Sequence, residues 1–462
     1  MSRGERWFNM AKAKNTVAGI SPDPLPQQTL ILDNGAHTIK AGGLATGSDS
    51  VNNDGCHIIP NCIARSHRDK RSYIGPELTE ECDDFGELAF RRPVEKGYIV
   101  GWESEKAIWD RSFFHPGAVL GKPLDPAETT LVLSEQPNAP ARIQEMADEM
   151  VFEEFGFGGY ARVLGPSLNA YAPSPFPTAH PVPAGQPLEC ALIIDAGHSH
   201  TTCTPVYRGQ PLQQSIRRLD IGGKTLTNHL KTLISRTFAV HREDSLVSDL
   251  KESISYLCPD STSFRNSLEA TWKGGRYDPR SRDPSIIIDY VLPDYETIKR
   301  GFVRPHDPTA NLRNLALGIG TEGGRREHIL TIGNERFAVP ELLFTPSDIG
   351  MREQGLAGTV LQSVYSLPES ARQGFLGNLL VTGGTSLIPG FVERLENEIR
   401  GMVDEDVAVR VARVGDPVSN CWEGGRRLVG NKEVMGRLAV TRKEYFEFGE
   451  GWVRRRFAGK TG

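Results

Sequence analysis

The residues with most to offer chemically are two acidic turns. The apolar run Thr29-Leu30-Ile31-Leu32 ends at Asp33-Asn34-Gly35, and the same order returns at Ala191 to Ile194, Asp195 and Gly197. Each time an apolar strand ends in a carboxylate, a glycine follows, and a return strand is predicted. Asp-Asn-Gly taken alone reads as a tight two-residue hairpin turn. The repetition adds a second reading: two equivalent hairpins facing each other can clamp a polyphosphate and its divalent cation between two carboxylates, with the glycines letting backbone N–H groups come close. Asp33 and Asp195 are then candidate indirect partners of Mg2+. Lys40, on the first return strand, either reaches the phosphates as a point charge or is a solvated strand lysine.

Three further groups of residues have a chemical reading and a bland one. Gly383-Gly384-Thr385 separates a predicted strand from a predicted helix, where free N–H groups can hold an anion or a flat ring can lie on backbone; glycine also serves any tight turn. Lys251 and Glu252 lie on an amphipathic helix and read by default as a solvated pair. His198 and His200 form an H-x-H alternation on a predicted strand, which offers a metal two ligands from one face, without a visible third. The basic clusters Arg65 to Arg71, Arg325-Arg326, Arg426-Arg427 and Arg454 to Arg456 either touch DNA phosphates locally or are simply solvated.

The elements that must position these residues alternate strand and helix, which argues for α/β layers. Residues 141–155 place Ile143, Met146, Met150 and Val151 at helical spacing. Leu246, Leu250, Ile254 and Leu257 repeat that spacing, and Phe391, Leu395 and Ile399 do so after the Gly-Gly-Thr loop. The return of the strand, acid, glycine pattern predicts an internally duplicated chain. Residues 1–28 read as a flexible arm, and the polar or Gly-rich stretches 259–285 and 307–327 as surface insertions.

Composition narrows the function classes. The chain has 462 residues, 53 basic against 58 acidic side chains and a net charge of -5, so no global positive field gathers nucleic acid or anionic membrane. The hydrophobic fraction of 38% and charged fraction of 24% are those of an ordinary soluble protein. No apolar run approaches the roughly 18 to 20 residues of a membrane helix, and the start lacks a secretory signal, so the chain is expected in the cytosol or nucleus. Seven scattered cysteines without a C-x-x-C pair argue against a disulfide framework or structural zinc.

Two Asp-Gly hairpins, a Lys-Glu helix and a late strand-GGT-helix resemble, in that order, the nucleotide clamp of actin, the Hsp70 chaperones and the sugar kinases. Residues 91–114, 333–350 (GNERFAVPELLFTPSDIG) and 381–395 (VTGGTSLIPGFVERL) are similar to segments of actin itself. LDIGGKTLTNHLK (219–231), residues 286–302, PVSNCWEGG (417–425) and VTRKEY (440–445) resemble the nuclear actin-related protein six class. The resemblance implies an actin-like α/β fold of two lobes with a central nucleotide cleft. It places the first lobe at 29–190 with a small subdomain inserted at about 44–90, the second at 191–450, and a basic tail at 451–462. It also implies that Asp33, Asn34, Gly35, Lys40, Asp195 and Gly197 belong to the phosphate loops, and Lys251, Glu252, Gly383, Gly384 and Thr385 to the nucleoside side. The cleft is expected to take ATP or ADP with Mg2+, or to stay empty.

The hydrolytic positions differ from actin's. Gly165 stands where actin has its water-polarising Gln, His198-Ser199 where it has Asp-Gly, and Thr202 where it has a histidine. Ala36 and His37 replace small polar residues of the first loop. In-line attack by water needs a positioned proton acceptor, so a non-catalytic protein is expected. The class implies a scaffold subunit of a Swr-type remodeller that exchanges histone two-A for its Z variant. Its expected partners are the motor chain, a zinc-knuckle subunit and the nucleosome with its DNA, in the nucleus, with residence in the cytoplasm before assembly. An actin-like ATPase or a filament-forming cytoskeletal protein is the alternative. The rewritten stretch 44–74 argues against a homopolymer.

Overall fold

The computed structural model describes residues 24–45, 55–86, 88–176, 182–183, 185–236, 244–272, 286–295, 298–307, 309 and 328–461. Most of the predicted arm, much of the predicted insertions and Arg325-Arg326 lie outside the described residues. At its described end the predicted arm is already part of the fold: Gln28 begins the first strand, and Leu25 packs against the cluster around Ile31.

Two mixed sheets carry the architecture. In the first, Gln28–Asn34 is central, with Leu30, Ile31 and Leu32 at most 1% exposed. It pairs antiparallel with Thr38–Ala45, which pairs antiparallel with His57–Pro60; on its other side it runs parallel to Thr129–Glu135, and that strand parallel to Gly159–Leu164. The second sheet repeats the plan. Cys190–Ala196 pairs antiparallel with Thr201–Tyr207 and parallel with Leu379–Thr382, which runs parallel to Val411–Arg413. Parallel neighbours need crossover connections that put helices on the sheet faces. The duplication predicted from two short motifs thus extends to whole-sheet topology.

The hairpin registers match as well: Asp33 lies opposite Lys40, and Asp195 opposite Thr202. The first connection is not the two-residue turn that Asn-Gly suggests. Asn34 stays in the ladder opposite Ile39, so the four residues Gly35 to Thr38 make the connection. Glycine is required at its start, because a Cβ on Gly35 would lie 2.7 Å from the carbonyl oxygen of Thr38.

Helical spacing locates the helices better than their inner faces. Phe391, Leu395 and Ile399 are buried on Phe391–Arg400, as predicted. On Asp244–Ile254 the buried set is Val247, Leu250, Lys251 and Ile254, with Leu246 only half-buried. On Ala141–Glu149 and its continuation Met150–Glu154, Met146 faces water while Ala147, Asp148, Val151 and Phe152 point inward. Arg162 accounts for that rotation, since its guanidinium lies 2.7 Å from Asp148 and draws the carboxylate inside. Residues 259–285 are not irregular throughout: Ser261–Trp272 is a helix. Asp260 accepts from the N–H and hydroxyl of Ser263 at its start, and Phe264 and Leu268 pack beside Phe337.

The largest departure concerns the C-terminal region, predicted to complete the second lobe and end in a basic tail. Val440–Thr441 instead adds to the first sheet beside Gly159–Leu164. Tyr445, Val453 and Phe457 enter the same core as Leu30, Trp109 and Tyr160, and Glu450–Thr461 is a helix. Thr441 anchors this return with a capping box, its side chain and that of Glu444 satisfying each other's backbone N–H groups. Thr441→Ala is expected to lower stability by about 1 kcal/mol, read as a lower urea midpoint; an unchanged midpoint would show that the box is not holding the helix.

Two helices join the lobes. Gly165–Tyr171 leads from the first sheet towards the second, and Asn420–Val429 packs along it, so closely that a Cβ on Gly424 would lie 1.8 Å from the Leu168 carbonyl oxygen. Asn420 donates to Asn169 across this contact at 2.6 Å. All seven cysteines are free. Among the described residues no helix is long and apolar enough to cross a membrane.

Candidate cleft site

The two hairpin turns meet across a cavity of about 490 Å³. Its walls include Asp33, Asn34, Gly35, Lys40, Asp195, Gly197, Lys251, Glu252, Gly383, Gly384 and Thr385, so residues predicted separately from several distant segments share one site. Among the described residues no member of the basic clusters lines it; Arg426 and Arg427 instead pair with Glu423.

Asp33 is held from two sides. Ser134 donates to one carboxylate oxygen at 2.6 Å, and the Lys40 ammonium lies 3.4 Å from the other. Lys40 and Asp33 meet because opposite residues of an antiparallel pair share a sheet face. Withdrawal from water pushes the Asp195 carboxyl up to about 6; the charge of Asp33 adds to this and Lys40 opposes it. Two carboxylates arranged this way favour a cation between them. Among the described residues no group of three or more His, Cys, Asp or Glu side chains could hold a metal. A Mg2+ ion here would therefore be completed by water and phosphate oxygens, the coordination it prefers.

Three contacts pin the second turn. The N–H groups of Gly223 and Lys224, at the start of helix Gly223–Ile234, donate to the carbonyls of Gly197 and His198 at 3.0 and 2.8 Å, and the Thr385 hydroxyl donates to the Gly197 carbonyl at 2.8 Å. Gly383 makes this approach feasible with φ at 86°, where a Cβ would lie 2.4 Å from the Ala196 carbonyl oxygen. A Cβ on the next residue, Gly384, would meet nothing within 4 Å. That leaves a flat, open stretch of backbone on the cavity wall.

The first turn is supported by residues that sequence reasoning missed. Asn61 donates to the Gly35 carbonyl at 2.9 Å, and the Trp109 indole N–H lies 3.2 Å from Asn34 Oδ1 and 2.9 Å from Glu105 Oε1. These supports come from distant segments, and a lone Asn or Glu in sequence carries no signal of such a role. Gln136 also lines the cavity unpredicted. Its Oε1 is buried without a hydrogen-bond partner, as are Asn34 Nδ2, His37 Nδ1 and His200 Nδ1. Such unpaired polar atoms, beside an open glycine backbone and a lysine, fit a polar, phosphate-bearing ligand.

Lys251 is not half of a solvated pair. It is 8% exposed, its ammonium 3.9 Å from Glu252, and burial lowers its pKa, whereas the Glu252 side chain is largely in water. The histidines also differ from prediction. Both lie in the turn between strands, and their rings diverge: His198 packs on His37, and His200 packs against Gly97, where a Cβ would lie 2.3 Å from its ring. They present no common face to a metal. Burial, reinforced by neighbouring cations, brings His37 down to about 3 and His200 to about 4, so both rings are neutral at physiological pH.

At the three positions singled out for hydrolysis, Gly165 and His198 line the cavity, whereas Thr202 is buried outside the lining. Gly165 offers no side chain, and its carbonyl faces the thiol of Cys421.

The family described as Actin matches residues 25–458 of this chain. The chain is similar to the Actin-like protein arp6 of Aspergillus fumigatus, with 46% identity over 94% of this chain and 96% of that protein. The corresponding protein of Emericella nidulans is 45% identical over 96% of this chain and 98% of its own length. Actin-related protein 6 of Drosophila melanogaster is 34% identical over 91% of this chain and 97% of its own.

Proposed function

The chain belongs to the actin family, as an actin-related protein of the Arp6 class, and from that membership we propose that it is a non-catalytic scaffold subunit of a Swr-type chromatin remodeller that exchanges histone two-A for its Z variant. The observation that carries the non-catalytic part is the state of the cleft. The paired carboxylates and Lys40 remain, but Gly165 has no side chain to orient water, Thr202 is outside the lining, and the His198 ring is occupied against His37. In-line attack on a phosphate needs a proton acceptor beside the water, and none of these three supplies one.

ATP or ADP would be held by the two turns and Lys40 at the phosphates, and by Lys251, Glu252 and Gly383 to Thr385 at the nucleoside. Asp33 and Asp195 would face Mg2+ through water. The bound nucleotide supplies binding energy, and because it touches both lobes only in the folded chain, it stabilises their docking by about 2.7 kcal/mol at a hundredfold excess over Kd. The lobes then present fixed surfaces to a motor chain, a zinc-knuckle subunit and nucleosomal DNA, in the nucleus and, before assembly, in the cytoplasm.

Purifying the tagged chain from nuclei and identifying what accompanies it tests the proposal. Recovery with a remodeller motor chain and a zinc-knuckle subunit, with no phosphate release from ATP above background, is the expected result. Phosphate release that disappears in Asp195→Asn, or pelleting of the isolated chain in polymerising salt, would overturn it.

A further inference from the structure

The tips of the two turns do not leave the cleft open along its whole length. His37, from the first turn, and His198, from the second, lay their rings together with centroids 4.8 Å apart and planes tilted by 32°. At that separation the rings are in contact, and no phosphate oxygen fits between them. The pair spans the cavity from one lobe to the other, because each turn is fixed from behind. His37 shares its loop with Gly35, whose carbonyl accepts from Asn61, and the Asn61 N–H donates to the His37 carbonyl at 2.9 Å. His198 has its carbonyl held by Lys224 N–H at 2.8 Å. Parting the rings therefore means moving a braced loop.

We propose that the His37–His198 pair closes the terminal-phosphate end of the cleft, so that this chain accepts a nucleoside diphosphate in preference to a triphosphate. The inference rests on the nucleotide reading above and goes further by choosing the ligand class. If the nucleoside lies against Gly384 and Lys251, its phosphates run towards Asp33, Asp195 and Lys40, and the next group along meets the two rings.

Electrostatics point the same way. A third phosphate brings further negative charge that needs a partner when it leaves water. Lys40 is already paired with Asp33, and Arg92 is turned to the His37 carbonyl at 3.4 Å. Neither ring supplies a positive charge, since burial holds His37 down to about 3 and His198 to about 2.

Titration calorimetry of the full chain with Mg2+ and AMP, ADP or ATP tests this. ADP is expected to bind wild type about tenfold or more tightly than ATP, and the ratio of the two affinities is expected to fall at least about fivefold in His37→Gly/His198→Gly. ATP binding wild type as tightly as ADP would overturn the inference while leaving the nucleotide reading intact. Failure of all three nucleotides to bind would overturn both. The wild-type series needs no variant, so a poorly folding double variant does not blunt the test; His198→Ser alone then reports the change in ratio, and an unmoved ratio counts against the pair.

Discussion

Replacing Arg394 with methionine is expected to destabilise the folded chain by about 3 to 5 kcal/mol, the cost typical of leaving a buried charge without its partner. Arg394 is 1% exposed in the core of the second lobe. Its guanidinium donates to Glu341 at 2.6 Å and to Glu398 at 2.8 Å, and reaches the Cys258 carbonyl at 3.3 Å. It thereby ties helix Phe391–Arg400 to Glu335–Glu341 and to the segment after Asp244–Ile254. Methionine replaces the packing volume but not the charge. Glu398 can turn to water; Glu341, equally buried, cannot.

Burial already pushes Glu341 up to about 7 against the pull of Arg394, and removing the arginine raises it further. The loss should therefore be smaller near pH 5, where Glu341 can take up a proton, and larger near pH 8. Urea denaturation at both values measures it. Arg394→Met/Glu341→Leu should recover most of the stability, since an apolar replacement for a whole buried ion pair is often neutral. A single variant that loses under about 1 kcal/mol at pH 8 would show that Glu341 finds another way to be satisfied.

Glu105→Gln is expected to flatten the pH dependence of stability. Glu105 is fully buried beneath the first turn, where its hydrogen bonds come from neutral donors, Trp109 and Asn61. Burial raises its pKa from 4.5 to about 7, and the neutral donors around the carboxylate oppose that rise. The folded state therefore binds this proton more tightly than the unfolded state. The resulting stabilisation is complete below about pH 4.5 and is lost as pH rises through 7, an effect of roughly 3 kcal/mol.

Glutamine keeps the shape and never ionises, so the variant should match wild type near pH 5 and exceed it near pH 8. Urea midpoints at the two pH values decide the matter; parallel pH profiles for variant and wild type would mean that Glu105 does not carry this proton.

Much of the cleft was legible in the sequence because its key features are short-range. An apolar strand, an acid and a glycine occupy consecutive positions, and the return strand brings Lys40 opposite Asp33 by register alone. Gly383 to Thr385 were legible for the same reason, lying directly between a strand and a helix. Asn61, Glu105 and Trp109 were not, because each acts through a contact with a chain segment far from it. Lys251 was misread because helical periodicity defines a stripe without saying what the edge of the stripe faces; here the edge faces an enclosed cavity.

The alternation of strands and helices, the duplicated hairpins and the carboxylate at each strand end all follow from side-chain period and local turn chemistry, so the residues alone disclose them. Long-range packing sets which surfaces those pieces share. It returned Val440–Thr441 and Glu450–Thr461 to the first lobe, whose core had apolar faces left to cover. It also brought His37 to His198, because the gap between the turns depends on how Gly165–Tyr171 and Asn420–Val429 pack where the lobes join. Local pattern fixes which way a side chain points from its own element; the separation of two elements on different lobes depends on packing summed over the many residues between them.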